Sequence, residues 1–155
     1  MADSENADHI AIVYPVTSQV PVDFDIQEGV EAHCTLIYLG KASEVSYTKE
    51  DVQAILDRIK LKTPSSVVVR DLELFGPDKD VLVMTLDDTA LSSLRKTLER
   101  ALLKIGAKSG SEFKEYKPHV TLDSKTNLTL EEARDSIALP DTVSFDDVEL
   151  WWGDE

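Results

Sequence analysis

The sequence predicts an α+β fold of two pseudo-symmetric lobes, two antiparallel sheets facing a central groove with helices outside. Three observations predict it. Short β-branched runs alternate with stretches whose apolar residues recur at helical spacing. The tetrad His-x-Thr-Leu occurs twice, as His33-Cys34-Thr35-Leu36 and as His119-Val120-Thr121-Leu122, 86 positions apart in a chain of 155 residues. Each copy is followed by a helix whose first turn reads Thr-x-x-acid, so the two halves echo each other. No low-complexity run or Pro/Gly-rich linker divides them, and one bilobal domain over 1–155 is expected, with 1–8 flexible.

Taken in order, "HIAIVYPV" at 9–16 is β-branched and reads as a first strand. "QVPVDFDIQEG" reads as a loop, and "HCTLIYL" at 33–39 as a second strand closed by Gly40. In "TKEDVQAILDRIKL" the residues Val52, Ile55, Leu56 and Ile59 form one helical stripe, and Thr48 with Asp51 forms an N-terminal capping pair. Strands follow at 65–76 and 80–87 around a Gly-Pro-Asp turn. A helix over 89–105 carries Leu91, Leu94, Leu98, Leu102 and Ile105 on one side, with Gly106 as its stop. "KPHVTLD" is a strand, "TLEEARDSIAL" a short helix with the capping box Thr129 to Glu132, and 142–152 a single closing strand.

Thirty acidic residues against sixteen basic ones give a net charge of −14, which repels long polyanions and disfavours a long nucleic-acid partner. A small anion inside a cleft remains compatible, because salt screens the distant field beyond about 8–10 Å. No window approaches a membrane span, no secretory signal opens the chain, and the lone Cys34 fits a reducing compartment. A cytoplasmic monomer without membrane contact is expected.

On a strand, residues i and i+2 share a face, so His33 lies beside Thr35 and His119 beside Thr121. Cys34, Leu36, Val120 and Leu122 point the other way, toward the helices. A groove between the two strands would hold two imidazoles and two hydroxyls. One neutral imidazole can take a proton from a nucleophile, a protonated one can give a proton to a leaving oxygen, and the hydroxyls can donate to the non-bridging oxygens of a phosphate. Histidine suits both roles because its unperturbed pKa is near 6.5. The set requires no metal and no cofactor. His9, at the edge of the first strand, is expected to be exposed.

At these residues the chain resembles the 2H phosphoesterase superfamily, the LigT-like and cyclic-phosphodiesterase enzymes with two His-x-(Thr/Ser) motifs. "HCTLIYLG" is similar to the family's first motif and "KPHVTL" to its second, and the order of elements is similar over nearly the whole chain. The resemblance implies that His33, Thr35, His119 and Thr121 are catalytic and that the activity is metal-independent phosphodiester chemistry. It also implies a small substrate such as a 2′,3′-cyclic phosphate, a 2′,5′-linked oligoadenylate or, as in phage members, a cyclic oligonucleotide alarm signal. Such a member would serve viral anti-defence in the host cytoplasm. The short chain and its charge favour a compact substrate, with RNA ends or binding without turnover as alternatives.

A nucleotide base needs a flat partner. Alternation in the closing strand turns Glu149 and Trp151 toward the groove, one as an acceptor for a base amino group and the other as a stacking platform. Tyr14 and Phe75 are further stacking candidates. Arg70 and Lys117 are candidate phosphate contacts, and Lys114 lies just upstream.

Other chemistries fail on geometry or spacing. Cys34 and His33 are strand neighbours on opposite faces and cannot form a nucleophile pair. A calcium loop starting at Asp23 would need glycine at Glu28 and an acid at Cys34. Zinc ligand spacing and a phosphate-binding glycine loop are both missing from the sequence.

Overall fold

The computed structural model describes residues 9–17, 33–64, 66–76, 78–107, 117–123 and 127–152. The expected flexible start, the loop at 19–29, Lys114 and the proline of the Gly-Pro-Asp turn lie outside the described residues. The strands are β1 (His9–Pro15), β2 (His33–Lys41), β3 (Val67–Phe75), β4 (Val81–Leu86), β5 (His119–Asp123), β6 (Thr142–Val143) and β7 (Glu149–Trp152). The helices are α1 (Lys49–Ile59), α2 (Thr89–Leu102) and α3 (Leu130–Ser136).

Both capping boxes form. The Thr48 hydroxyl accepts from the Asp51 amide at 3.1 Å while the Asp51 carboxylate accepts from the Thr48 amide at 2.9 Å. Thr129 and Glu132 repeat that exchange with the same two distances. Each box satisfies amides that the first helical turn leaves without carbonyl partners. After α2 the chain tightens into a 3₁₀ turn over Leu103–Ile105, and Gly106 ends it at φ 76°, a left-handed conformation that costs glycine little. Helix α3 stops at Ser136 because Ile137 turns extended, which lets Ile137 and Leu139 pack against the core.

All seven strands belong to one antiparallel sheet ordered β6-β3-β4-β5-β2-β1-β7. The two expected sheets are therefore two halves of a single one. β5, β4 and β3 make one half; β2, β1 and β7 make the other. They meet where Cys34 pairs with Val120. The expected closing strand over 142–152 is broken. Thr142 and Val143 pair with β3 at one edge of the sheet, whereas Glu149 to Trp152 pair with β1 at the other. Six peptide steps from Val143 to Glu149 reach at most about 22 Å. A flat sheet would set its first and seventh strands about 29 Å apart. The sheet must therefore curve, and on the way between the two edges Phe145 forms an isolated bridge to Val16, just after β1.

One face of the sheet carries the core. Ile10, Ile12, Tyr14, Cys34, Leu36, Leu72, Met84, Val120 and Leu122 are fully or almost fully buried there, and α1 and α2 supply Val52, Ile55, Leu91, Leu98 and Leu102. Among the described residues no helix is long and apolar enough to cross a membrane.

Candidate active site

The two motif strands lie side by side at the centre of the sheet. With Cys34 opposite Val120 in antiparallel order, the same register sets His33 across from Thr121 and Thr35 across from His119. Cys34 and Val120 are buried, so the flanking four residues face the opposite side, where all are half-buried. The histidines occupy one diagonal of this square and the threonines the other. Diagonal neighbours across an antiparallel pair sit about 7–8 Å apart, a spacing that admits one tetrahedral phosphate between the rings.

Each imidazole has an aromatic neighbour two strands away in its own half. His33 packs against Trp151 of β7, centroids 4.4 Å apart with planes at 56°. His119 packs edge-to-face with Phe75 of β3 at 4.7 Å. The strand order β3-β4-β5 mirrors β7-β1-β2, so the arrangement repeats the pseudo-symmetry of the two motifs.

The environments of the two rings differ. The Nδ1 of His119 lies 2.8 Å from the Lys117 carbonyl oxygen, an acceptor, so Nδ1 carries the proton and Nε2 keeps its lone pair. Burial lowers the His119 pKa first and the nearby charge of His33 lowers it further; the Lys117 carbonyl and the Glu73 carboxylate oppose the shift without reversing it. On the other side, the Trp151 indole N–H donates to Glu149 Oε1 at 3.1 Å, which fixes the indole beside His33.

The remaining expected ligand contacts divide. Glu149, Trp151, Phe75 and the backbone of Lys117 are gathered around the two imidazoles, and the Lys117 ammonium lies 4.0 Å from Glu73. Tyr14 is not at the groove. It is fully buried on the core face, its hydroxyl donates to the Lys62 carbonyl at 3.1 Å and its ring tilts against Phe145, so it cannot stack a base. Burial also pushes its phenol well above the usual range. Arg70 is likewise elsewhere. It is the extra residue where the β3–β4 register slips between Val69 and Asp71, and its guanidinium is bound to Asp87 at 2.7 Å, next to the start of α2. His9 is half-buried, edge-on to Tyr38 at 5.3 Å, rather than exposed.

Two residues near His119 escaped the sequence reading. Asp71 and Glu73 share the face of Phe75 by two-residue alternation; Asp71 lies in the cross-strand row Asp71, Thr85, His119 and Glu73 in the row Glu73, Val83, Thr121. Arg134 of α3 grips Asp71 with two bonds, at 2.7 and 3.3 Å. The alternation of acid, acid and aromatic at 71, 73 and 75 was the available signal, and it could be used only once the face of Phe75 was known.

A family model described as the 2′-5′ RNA ligase superfamily matches residues 23–155. Among solved structures, the crystal structure of the MHV ns2 PDE domain aligns with a TM-score of 0.57 and 14% identity over 94% of this chain and 98% of that one. The protein TT0787 of Thermus thermophilus aligns with a TM-score of 0.53 and 15% identity, covering 92% of this chain and 82% of that one. These likenesses support the fold. Comparison with curated protein sequences finds no match.

Proposed function

Starting from a chain that belongs to the 2′-5′ RNA ligase superfamily of 2H phosphoesterases, we propose that this enzyme cleaves the phosphodiester of a small, cyclic nucleotide or oligonucleotide by paired-histidine acid–base catalysis. The observation that carries the reading is the diagonal placement of His33 and His119 across the β2–β5 seam, each opposite a motif threonine.

In the cleavage step neutral His119 takes, through Nε2, the proton of the attacking oxygen, a ribose 2′-hydroxyl or a water. The P–O bond to the leaving oxygen breaks as the new P–O bond forms, and protonated His33 supplies the proton that the leaving oxygen needs. Thr35 and Thr121 donate to the non-bridging oxygens, where negative charge accumulates in the transition state. The carbonyl bond at Nδ1 and the depressed pKa of His119 support its assignment as base. Trp151, oriented by Glu149, and Phe75 are the walls against which a base stacks. Glu149 accepts from a base amino group, and Lys117 meets a substrate phosphate at the rim.

The finer reading is that the substrate is a cyclic oligonucleotide signal, destroyed in the cytoplasm by a monomeric protein in the service of viral anti-defence. The resemblance to phage members supports it, and the net charge of −14 supports a compact substrate over a long RNA. The test incubates the protein, with EDTA, with cyclic di- and trinucleotides, 2′,5′-oligoadenylate and 2′,3′-cyclic mononucleotides and follows products by chromatography. Turnover of a cyclic oligonucleotide that His119→Ala abolishes is the expected result. Preferred turnover of 2′,3′-cyclic ends would move the substrate to RNA termini, and binding without product would replace the enzyme with a nucleotide-binding module.

A further inference from the structure

The helix α2 has an arginine in the middle of its apolar stripe. Leu91, Leu98 and Leu102 are fully buried, and Arg95 lies on the same face by helical spacing, its side chain only 16% exposed. Burying a guanidinium beneath a sheet is costly unless it is bonded. Here Nη1 donates to the Leu36 carbonyl at 3.2 Å, and Nε lies 3.4 Å from Glu99.

Leu36 is not an ordinary strand residue. The β1–β2 register passes from Ile12↔Ile37 directly to Val13↔Thr35, which leaves Leu36 as the extra residue of a bulge. Both Leu36 and Ile37 are buried, the consecutive pair that a bulge produces in an otherwise alternating strand. Its effect on the site is decisive. Strict alternation from Ile37 would carry Thr35 and His33 onto the core face, because a one-residue slip reverses every side chain beyond it. The bulge turns both toward the groove.

We infer that Arg95 is a positioning residue for the His33 and Thr35 half of the site, acting through the backbone carbonyl of the Leu36 bulge. Its rigid fork holds the peptide that joins Leu36 to Ile37, so the register that faces the motif outward is clamped from the core side. The kinetic part of this inference rests on the phosphodiesterase reading; the structural part does not.

The test uses the full chain with Arg95→Met, Arg95→Lys and, as a packing control on the same stripe, Leu98→Ala. Three histidines make the ring ¹³Cε1–¹Hε1 signals assignable by single substitutions. Arg95→Met is expected to shift the His33 signal and to lower kcat about ten- to a hundredfold, as misplacement of a reacting group does, with KM held within about threefold. Arg95→Lys, which keeps a donor, should recover part of both. Leu98→Ala should lower the unfolding temperature while leaving the His33 signal and kcat near wild type. An unmoved His33 signal in Arg95→Met, or an equal shift in Leu98→Ala, overturns the inference. If Arg95→Met does not fold, Arg95→Gln, polar but too short to reach Leu36, is read by the same signal. Should the wild type turn over none of the phosphodiesters, the activity reading falls while the His33 signal still decides the role of Arg95.

Discussion

Cys34 and Val120 face each other, both fully buried, at the pairing that joins the two halves of the sheet, and this contact fixes how far apart His33 and His119 stand. Truncating one partner should therefore affect both stability and site geometry. Val120→Ala is expected to cost about 1–3 kcal/mol, the usual range for removing buried methyl groups. Urea unfolding measures the first effect and kcat the second. Full activity at reduced stability would show that the seam can slacken without moving the rings.

His33→Ala and His119→Ala should each lower kcat about 10²–10⁴-fold, the ordinary worth of one positioned proton transfer. Because the two rings act on one phosphorus, the double variant should lose less than the product of the single losses. Circular dichroism should be unchanged, since both rings sit on the groove face rather than in the core. Strict multiplicativity in the double variant would argue against a shared reaction centre.

The depressed pKa of His119 sets the direction of two pH effects. A group with a lower pKa in the folded chain than in the unfolded one, near 6.5, gives its full stability above that value and loses it as pH falls through the folded pKa. Stability should decline on acidification from about pH 6.5, and His119→Gln should flatten that part of the curve. The acid limb of kcat/KM should lie below the ordinary histidine range. Glu73→Gln should push it lower still, because the Glu73 charge favours the imidazolium. A limb displaced upward in Glu73→Gln would contradict the assignment of His119 as base.

Trp151→Ala removes the wall beside His33 and a stacking surface worth about 1–3 kcal/mol per base. KM should rise about five- to a hundredfold with a smaller change in kcat, read by initial rates. Glu149→Gln frees the indole from its acceptor's charge and should raise KM less. A pure fall in kcat in Trp151→Ala would return that side chain to the orientation of His33 alone.

Tyr14→Phe serves as a control because its hydroxyl is bonded to Lys62 on the core side. Loss of that hydrogen bond should cost about 0.5–1.5 kcal/mol in thermal or urea unfolding and leave KM unaltered. A raised KM would bring Tyr14 back to the substrate.

The sequence by itself determined whatever depends on neighbours along the chain. Thr48 with Asp51 and Thr129 with Glu132 announced two helices because a capping box closes over three residues. His33 with Thr35 and His119 with Thr121 announced two motif faces because alternation needs only two. Tertiary structure alone decided how those faces meet. The bulge at Leu36, with Arg95 beneath it, reverses the parity of β2 by a register that only β1 can set. Tyr14 entered the core to bond Lys62, 48 residues away, and Arg70 turned to Asp87 because the β3–β4 register slips at it. The segment 142–152 broke into two strands because two opposite sheet edges each claim one end of it. A local pattern states which way a side chain alternates, but which side of the sheet becomes the groove is fixed by what packs against the other side.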